Sequence, residues 1–330
     1  MIVTLTANPS LDRTVELPGA LARGEVQRAV AVHQESGGKG VNVSRALVAS
    51  GLETLAVLPG ADSDPVLSGL HDGGVPFAAL PIGQALRSNV TLTEPDGVTT
   101  KINEPGPELS GEQQEALIGL LLERSRGASW VVLAGSLPPG VPADFYATIA
   151  RRLRSNADGT AAPGIAIDSS GAPLAAALVG DAAGKPDLLK PNAEELAELA
   201  AAAGFTNVYT ADELEADPAK AAQAAAAVVA SGVGAVLATL GSKGAVLVTA
   251  DGAWFATHPP IKAVSTVGAG DSSLAGYLLA ATQGGSAQDC LRQAVAHGAA
   301  AASLPGSTVP AVHQTTPDAV TITALQKESQ

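Results

Sequence analysis

The chain has few cysteines, few aromatic residues and few basic side chains, and each shortage excludes a class of protein. The lone Cys290 excludes an internal disulfide and fits a reducing compartment. Because aromatic residues make up only 3% of a chain that is 46% hydrophobic, the core must consist mainly of Ala, Val and Leu. The 19 basic residues against 32 acidic ones give a net charge of −13, which argues against nucleic-acid binding. An anionic substrate would therefore need local basic residues.

Long hydrophobic runs and metal-ligand clusters are also scarce. Residues 221–242 carry no charge and approach the roughly 20 residues of a membrane-spanning helix, but Ser231-Gly232-Val233-Gly234 interrupts them. A helix, a turn and a buried strand are the better interpretation. The N-terminus is not typical of a signal peptide, and we expect a cytoplasmic protein with no membrane partner. The histidines lack the spacing of zinc ligands, and they are His33, His71, His258, His297 and His313.

Short apolar runs alternate with helical patterns along the chain. This alternation predicts a single α/β domain over residues 1–330, with a mostly parallel central sheet covered by helices on both faces. Ligands of such sheets bind beyond the carboxyl ends of the strands. The predicted strands span residues 2–7, 54–58, 130–134, 164–167, 188–189 and 235–240. The predicted helices span residues 41–50, 110–126, 142–154, 192–203 and 218–231.

Two polar segments interrupt this order. Residues 12–34 and 87–104 show period-two alternation, and the second contains the turn Pro95-Asp96-Gly97. They predict half-exposed antiparallel strands that would form a small β lid. The polar stretch 155–159 predicts a surface loop, and residues 327–330 predict a frayed end.

The most informative motif is Val267-Gly268-Ala269-Gly270-Asp271-Ser272, a glycine-rich turn that runs into a helical pattern. The unpaired N–H groups and the dipole at a helix N-terminus favour an anion such as phosphate. A carboxylate beside such a site needs a task, and Asp271 is placed to take a proton from an attacking hydroxyl. The alternative interpretation of Asp271 is a simple helix cap, a role that Asp often has.

A second motif, Gly37-Gly38-Lys39-Gly40-Val41-Asn42, also leads glycines into a helix. It is not a P-loop, because His33 and Gly40 stand where that signature needs Gly and Ser or Thr. Lys39 and Asn42 are available to contact the oxygen atoms of a sugar or a second phosphate. A glycine-rich turn packed against the sheet is the alternative.

Two further motifs lie at the ends of predicted strands. Lys190 ends a buried strand, where it can meet a phosphate, and Asn192 with Glu195 has the spacing of a capping box. Glu195 is also suited to act on a Mg²⁺ ion through water, because Mg²⁺ dehydrates reluctantly. The turn Gly241-Ser242-Lys243-Gly244 is either a plain hairpin or a contact for a nucleotide.

These motifs follow in the order seen in the phosphofructokinase B group of ribokinase-like sugar kinases. The chain resembles that family from its first strand to about Ser303, and looks most like its bacterial fructose-1-phosphate kinases. The segments that carry the resemblance are residues 4–12 (TLTANPSLD), 37–43 (GGKGVNV), 103–107 (NEPGP), 135–140 (GSLPPG), 190–192 (KPN) and 267–272 (VGAGDS). The resemblance implies a ribokinase-like three-layer fold and a homodimer formed through the lid sheets.

The resemblance also implies a role for each matching residue. Asp271 would be the general base, and the N–H groups of Gly268, Ala269 and Gly270 would form the anion hole for the phosphoryl group. The residues that would hold the sugar phosphate are Asp12, Gly38, Lys39, Asn42, Arg87 and Ser136. The residues that would contact ATP are Lys190, Gly241, Ser242 and Gly244, and those near Mg²⁺ are Asn192 and Glu195.

The resulting hypothesis is ATP-dependent phosphorylation of D-fructose 1-phosphate at its 6-hydroxyl, which gives fructose 1,6-bisphosphate. Kinases of tagatose 6-phosphate or fructose 6-phosphate are alternatives within the family. A sugar-phosphate-binding regulator without turnover is an alternative of another class, and the presence of Asp271 argues against it. A covalent hydrolase is poorly supported, because Ala134 and Pro138 replace the glycines of a nucleophile elbow around Ser136.

Overall fold

The computed structural model describes residues 1–155 and 161–325. Its strands, numbered in chain order, are β1 (Ile2–Thr6), β2 (Ser10–Glu16), β3 (Ala31–Gly37), β4 (Thr54–Pro59), β5 (Phe77–Leu80), β6 (Arg87–Thr93), β7 (Thr99–Asn103), β8 (Trp130–Ala134), β9 (Gly164–Asp168), β10 (Leu188–Leu189), β11 (Ala235–Thr239), β12 (Ala245–Thr249), β13 (Ala253–Thr257) and β14 (Thr321–Leu325). Its helices are α1 (Lys39–Ala49), α2 (Pro65–Asp72), α3 (Gly111–Arg124), α4 (Phe145–Ser155), α5 (Gly171–Ala176), α6 (Ala193–Ala202), α7 (Ala211–Ala216), α8 (Pro218–Ala230), α9 (Ala269–Thr282) and α10 (Ala287–Ala302).

A ten-stranded sheet forms the middle layer of the described chain, in the order β14-β13-β12-β11-β10-β9-β8-β1-β4-β5. Neighbouring strands are parallel from β5 to β11, and β12 to β14 continue the sheet in antiparallel pairing. Side chains alternate between two apolar layers, so that Val131 and Leu133 face one core while Val132 and Ala134 face the other. Burial on both faces explains why these strands are unbroken apolar runs.

Helices cover both faces of this sheet. Residues of α3, α4, α6 and α8 pack into one core, and residues of α1, α9 and α10 pack into the other. Small residues allow α9 and α10 to approach closely, since a methyl group at Gly276 would lie 2.5 Å from the backbone oxygen of Gln293. This close packing compensates for the shortage of large aromatic side chains.

A separate four-stranded sheet, in the order β3-β2-β6-β7, forms the lid. The lid strands extend beyond the predicted segment 12–34, because β2 begins at Ser10 and β3 ends at Gly37. The prediction of purely antiparallel strands is wrong for the central pair, in which β2 is parallel to β6 with Ser10 opposite Arg87. Two separate hairpins build this sheet, and the first strand of each runs in the same direction.

The predicted three-layer fold is confirmed, and most of its elements lie within a few residues of the predicted bounds. Among the predicted helices, the largest shift is in the one at 142–154, which begins only at Phe145. Residues 221–242 divide between α8, a turn and β11 as predicted, and no helix within the described ranges is long and apolar enough to cross a membrane. Ser155 is the last residue of α4, whereas 156–159 and 327–330 lie outside the described residues.

Candidate active site

Helix α9 begins at a backbone conformation that favours glycine. Gly268 caps the helix with a φ of 74°, and a methyl group there would meet nothing within 4 Å. The N–H of Ala269 donates to Thr266 O at 3.3 Å, whereas those of Gly268, Gly270 and Asp271 have no acceptor among the described residues. Together with the helix dipole, the unpaired N–H groups of Gly268, Gly270 and Asp271 form a site for an anion.

The carboxylate of Asp271 lies in the first turn of α9 and is only 8% exposed. Its Oδ2 accepts a hydrogen bond of 2.8 Å from Asn42 Nδ2. Burial, together with the negative charge of Asp168, raises the pKa of Asp271 to about 6. Such a pKa suits a general base at neutral pH, because the group is ionised yet basic enough to accept a proton. Gly268 caps the helix, so the interpretation of Asp271 as a simple cap does not describe its contacts.

Asp168 lies fully buried at the carboxyl end of β9, between two lysines. Lys39 Nζ is 2.6 Å from its Oδ1, and Lys190 Nζ is 3.1 Å from its Oδ2. Burial alone would raise the pKa of Asp168, but Lys190 and Lys39 outweigh burial and hold that pKa below its ordinary value. Burial would likewise lower the pKa of Lys39, but Asp168 and Glu195 raise it. The cluster thus fixes two charged ammonium groups at the carboxyl edge of the sheet.

Lys190 stands beside the N-terminus of α9 as well as beside Asp168. A methyl group at Gly270 would lie 3.2 Å from Lys190 Nζ. The ammonium group is 4% exposed, so little solvent screens it. The anion site of α9 therefore has a fixed positive charge next to its unpaired N–H groups.

Asn192 and Glu195 form a capping box at the start of α6. Asn192 Oδ1 accepts from the Glu195 N–H at 2.8 Å, and Glu195 Oε2 accepts from the Asn192 N–H at 2.9 Å. Glu195 Oε1 lies 3.5 Å from Lys39 Nζ and remains available for a further contact. In the described residues, no three His, Cys, Asp or Glu side chains are grouped so as to hold a metal ion. One carboxylate oxygen nevertheless fits Mg²⁺ that is held mainly by water and substrate phosphates.

The glycines of the second motif let α1 begin in contact with β1. Methyl groups at Gly38 and Gly40 would lie 2.7 Å and 2.5 Å from side-chain atoms of Thr6. A methyl group at Gly37 would lie 2.2 Å from the carboxylate of Asp12. The close approach of α1 to β1 therefore explains the glycines of this motif. It also places Lys39 and Asn42 in the first turn of α1, where Lys39 contacts Asp168 and Asn42 contacts Asp271.

On the lid, a hydrogen-bonded group surrounds Asp12. Asp12 Oδ1 accepts from Ser10 Oγ at 2.7 Å and from Asn89 Nδ2 at 2.9 Å, so β2 and β6 hold it from both sides. The lid thereby presents a carboxylate next to the glycines that begin α1.

Arg87 begins β6 and is half-buried where the lid meets the central sheet. Its Nε donates to Asn8 O at 3.2 Å, and its Nη1 donates to Glu104 O at 3.1 Å. Burial lowers the pKa of Arg87, and the carboxylates of Asp12 and Glu104 oppose that effect. Ser136, in the loop after β8, is exposed, and its Oγ accepts from Asn8 Nδ2 at 3.3 Å.

The turn from Gly241 to Gly244 closes a hairpin between β11 and β12, as the plain structural interpretation predicts. The N–H of Leu240 donates to Gly244 O at 2.8 Å. The turn lies near the Lys190 segment, because Thr239 at the end of β11 pairs with Asn192. Ser242 is exposed and has no side-chain hydrogen bond within the described part of the chain.

Comparison with known proteins now identifies the family. Residues 6–314 match the family described as pfkB family carbohydrate kinase. The chain belongs to this family. A 1-phosphofructokinase of Rhodobacter capsulatus is 35% identical over 287 residues, which are 86% of this chain and 84% of that relative. ATP-dependent 6-phosphofructokinase isozyme 2 of Escherichia coli (strain K12) is 34% identical over 306 residues, 91% of this chain and 92% of that relative.

Solved structures of the PfkB family and its wider fold group agree. Phosphofructokinase-2 from Escherichia coli, in complex with substrates and products, is 30% identical with a TM-score of 0.80, covering 95% of this chain and 96% of that one. Ribokinase from Thermotoga maritima, at 18% identity, has a TM-score of 0.74 and covers 95% of this chain and 97% of that one, which shows the shared fold. The chain is thus a ribokinase-like carbohydrate kinase, a phosphotransferase with an alcohol acceptor, and its membership implies ATP as a substrate.

In this PfkB-family kinase the predicted site residues fall into connected groups. Lys39, Lys190 and Glu195 are joined by direct contacts or through Asp168. Asp271 binds Asn42, and its pKa responds to the charges of Asp168 and the two lysines. A second group, on and beneath the lid, contains Asp12, Arg87 and Ser136. Sequence reasoning missed Asp168 and Asn8, although Asp168 directly follows the predicted strand 164–167, and the carboxyl end of a buried strand was the available signal.

Proposed function

We propose that this kinase transfers the γ-phosphoryl group of ATP to the 6-hydroxyl of D-fructose 1-phosphate and forms fructose 1,6-bisphosphate. The single observation that carries the proposal is the buried Asp271 beside unpaired N–H groups at the start of α9. A base and an anion hole at one helix N-terminus suit phosphoryl transfer to an alcohol. The likeness to named 1-phosphofructokinases supports the choice of acceptor.

Asp271 takes the proton of the 6-hydroxyl as that oxygen bonds to the γ-phosphorus of ATP. The bond from this phosphorus to the bridging oxygen breaks, and ADP leaves with the electron pair. The N–H groups of Gly268, Gly270 and Asp271 and the ammonium of Lys190 would face the charge on the transferring group, whereas the predicted contribution of Ala269 is reduced by its hydrogen bond to Thr266 O. Phosphoryl transfer depends mainly on positioning and charge stabilisation, which this arrangement provides without a nucleophile from the protein.

Glu195, through water, and Asn192 would hold Mg²⁺ near the phosphates of ATP. When bound, the ion would neutralise phosphate charge. Lys190 and the turn from Gly241 to Gly244, including Ser242, would contact ATP on the same side of the sheet. Their common position beyond the ends of β10 and β11 supports this assignment.

The sugar phosphate would lie between the lid and α1. Arg87 supplies a half-buried cation for its phosphate, and Asp12 supplies a carboxylate for its hydroxyl groups. The other residues proposed to line this site are Gly38, Lys39, Asn42 and Ser136.

Phosphorylation of fructose 6-phosphate at its 1-hydroxyl is the second candidate, because a 6-phosphofructokinase is similar over 91% of this chain. Tagatose 6-phosphate differs only in the sugar and belongs in the same test. We would compare kcat/KM for the three sugar phosphates with purified protein, ATP and Mg²⁺, and locate the new phosphate by ³¹P NMR. Preference for fructose 1-phosphate is expected. Preference for fructose 6-phosphate would overturn the substrate assignment, and no ADP release with any of them would favour a binding regulator.

We also propose a homodimer formed through the lid. Apolar side chains are exposed on the edge strands and loops of this sheet, with Val32 48% exposed on β3 and Ile102 57% exposed on β7. Exposed apolar edge strands are prone to pair with a second chain. Among relatives, a tetrameric inhibited form of phosphofructokinase-2 from Escherichia coli has been solved.

A further inference from the structure

Asn8 is a buried amide that has no role in the proposed reaction. It lies between β1 and β2, where the chain passes from the central sheet into the lid, and is 3% exposed. Its Nδ2 donates to Pro105 O at 3.0 Å and to Ser136 Oγ at 3.3 Å. One side chain therefore ties the root of the lid to the segment that follows β7 and to the loop that follows β8.

The same segments aim the guanidinium of Arg87. The backbone oxygen of Asn8 accepts from Arg87 Nε at 3.2 Å, and the backbone oxygen of Glu104 accepts from Arg87 Nη1 at 3.1 Å. Glu104 is the chain neighbour of Pro105, which the Asn8 amide holds. Asn8 thus fixes both acceptors of Arg87, one as part of its own backbone and the other through its side chain.

The backbone at residue 106 has been brought unusually close to this amide. A methyl group at Gly106 would lie 2.1 Å from Asn8 Oδ1, and the φ of Gly106 is +92°. Asn8 Oδ1 has no hydrogen-bond partner among the described residues. An unpaired buried acceptor costs free energy, so a residue that only filled this space would be better apolar. The donor side of the amide offsets that cost by holding Pro105 and Ser136.

We propose that Asn8 is a positioning residue for Arg87, a role that rests on the sugar-phosphate site proposed above. Asn8 does not touch the reacting atoms. It holds the segment containing Glu104 against the end of β1, and that contact sets the direction in which Arg87 presents its remaining N–H groups to the phosphate of the sugar.

The test is steady-state kinetics of Asn8→Ala and Asn8→Asp with whichever ketose phosphate the wild type phosphorylates. Asn8→Asp keeps the size of the side chain but replaces the donor by an acceptor, so it breaks the bond to Pro105 without leaving a cavity. For both variants we expect KM for the sugar phosphate to rise about tenfold, the scale of one misplaced hydrogen bond to a charged group. KM for ATP should stay within about twofold and kcat within about threefold, a split that general loss of structure would not produce.

Gln114→Ala is the matched control. The Gln114 amide also holds two backbone oxygens, those of Leu109 at 2.8 Å and Gly140 at 3.0 Å, but these do not bind Arg87. Loss of the Gln114 amide in this variant should leave KM for the sugar phosphate unchanged.

A double-mutant cycle with Arg87→Ala decides whether Asn8 acts through Arg87. In that background, Asn8→Ala should raise KM little further, because the group that it positions is gone. The inference would be overturned if Asn8→Ala raised KM equally in both backgrounds or left KM unchanged in the wild-type background. Failure of both Asn8 variants to fold would also overturn it. If the wild type phosphorylates no ketose phosphate, the proposed function fails and this inference fails with it. If the wild type is active and the Asn8 variants have the same KM for the sugar phosphate, only the inference about Asn8 fails and the proposed function stands.

Discussion

At the scale of single residues, two carboxylates in the same cleft have opposite pKa shifts. Asp168 is held ionised by Lys190 and Lys39, whereas burial and the charge of Asp168 raise the pKa of Asp271 to about 6. Groups whose environments separate their pKa values in this way divide structural and acid–base tasks. Asp168 anchors the lysines, and Asp271 is left able to exchange a proton.

Asp271→Asn should lower kcat by about a hundredfold or more while the binding of ATP and sugar phosphate stays near normal. Asp289→Asn is a matched control, because Asp289 occupies the equivalent position in the first turn of α10, where its Oδ2 accepts from the N–H of the N-cap Ser286. Steady-state kinetics of both variants should show lost turnover only for Asp271→Asn. Near-full turnover by that variant would remove Asp271 from the role of base.

Asp271→Asn and Asp289→Asn should also differ in thermal stability. Because the folded-state pKa of Asp271 is raised, the folded protein is relatively more stable below about pH 4, and this advantage is lost as pH rises through about 6. At pH 8 the neutral Asp271→Asn variant should therefore have a free energy of unfolding higher than that of the wild type by on the order of 1 to 3 kcal/mol, and it should unfold at a higher temperature. Asp289→Asn should unfold at a lower temperature at pH 8, because it loses a carboxylate whose charge is favoured at the helix N-terminus and whose pKa the hydrogen bonds to Ser286 lower. Circular dichroism melts at pH 4 and pH 8 measure both effects.

The pH dependence of kcat should follow the ionisation of Asp271. Below about pH 6 the base becomes protonated, and kcat should fall about tenfold per pH unit. Bound phosphates add negative charge, which would move the apparent pKa upwards rather than downwards. The profile is measured at saturating substrates from pH 5 to pH 8, and a flat profile would contradict the assignment.

Arg87→Ala should act mainly on the sugar phosphate, with KM increased at least about tenfold and kcat much less affected, because a charge-assisted contact is lost. Lys101→Ala removes an exposed cation from the neighbouring strand β7 and serves as the control. Equal KM values for both variants and the wild type would show that Arg87 lies outside the site.

At the scale of elements, the site depends on how closely helix N-termini approach the strands. The start of α1 lies against β1 because Gly38 and Gly40 leave no side chain between them. The start of α9 lies beside Lys190 because Gly270 leaves room for the ammonium group. Glycine at these positions is thus a packing requirement that also brings backbone N–H groups to the ligand side.

Gly40→Ala tests this packing. Its new methyl group would lie 2.5 Å from Thr6 Oγ1 and 2.8 Å from Leu5 O, so the helix must shift, and we expect a loss of about 1–3 kcal/mol in stability. Gly119→Ala, in α3 with open space around it, should instead be neutral or stabilising by up to about 1 kcal/mol. Urea titration distinguishes them, and equal stability of the two variants would contradict the packing argument.

At the scale of the whole molecule, local charge outweighs global charge at the site. The chain carries −13, yet Lys39, Lys190 and Arg87 gather at one edge of the sheet where two anionic substrates would meet. The arrangement satisfies the need for local cations that composition alone predicts.

The proposed dimer makes its own prediction. Light scattering should give twice the chain mass of 32.6 kDa, and Ile102→Asp should shift the protein towards the monomer by placing charge on the lid edge. Val208→Asp, at a residue 90% exposed and outside the lid sheet, is the control. A monomeric wild type, or dissociation by Val208→Asp alone, would contradict a lid interface.

Sequence reasoning predicts the layers of this fold well, because buried strands such as β8 are unbroken apolar runs. It misses α2, α5 and α7, which are too short for a helical period to be recognised. It also misses the 16-residue α10, in which frequent alanines blur the contrast between apolar and polar faces. It also predicts Asp271 with its glycines, whose spacing along the chain carries the signal. The salt bridges of Asp168 and the contacts of Asn8 could not be predicted, because they join strand ends whose neighbours are set by tertiary pairing.

The parallel pairing of β2 with β6 has a consequence for the order of folding. It brings together Asp12 and Asn89, which are 77 residues apart in the chain. Closing so long a loop costs entropy before any strand contact compensates for it, and distant pairings form slowly. The site of the base joins still more distant segments, because Asn42 and its partner Asp271 are 229 residues apart. The lid strands should therefore pair before Asp271 reaches its final position, so a partly folded chain would have its lid before it could transfer a phosphoryl group.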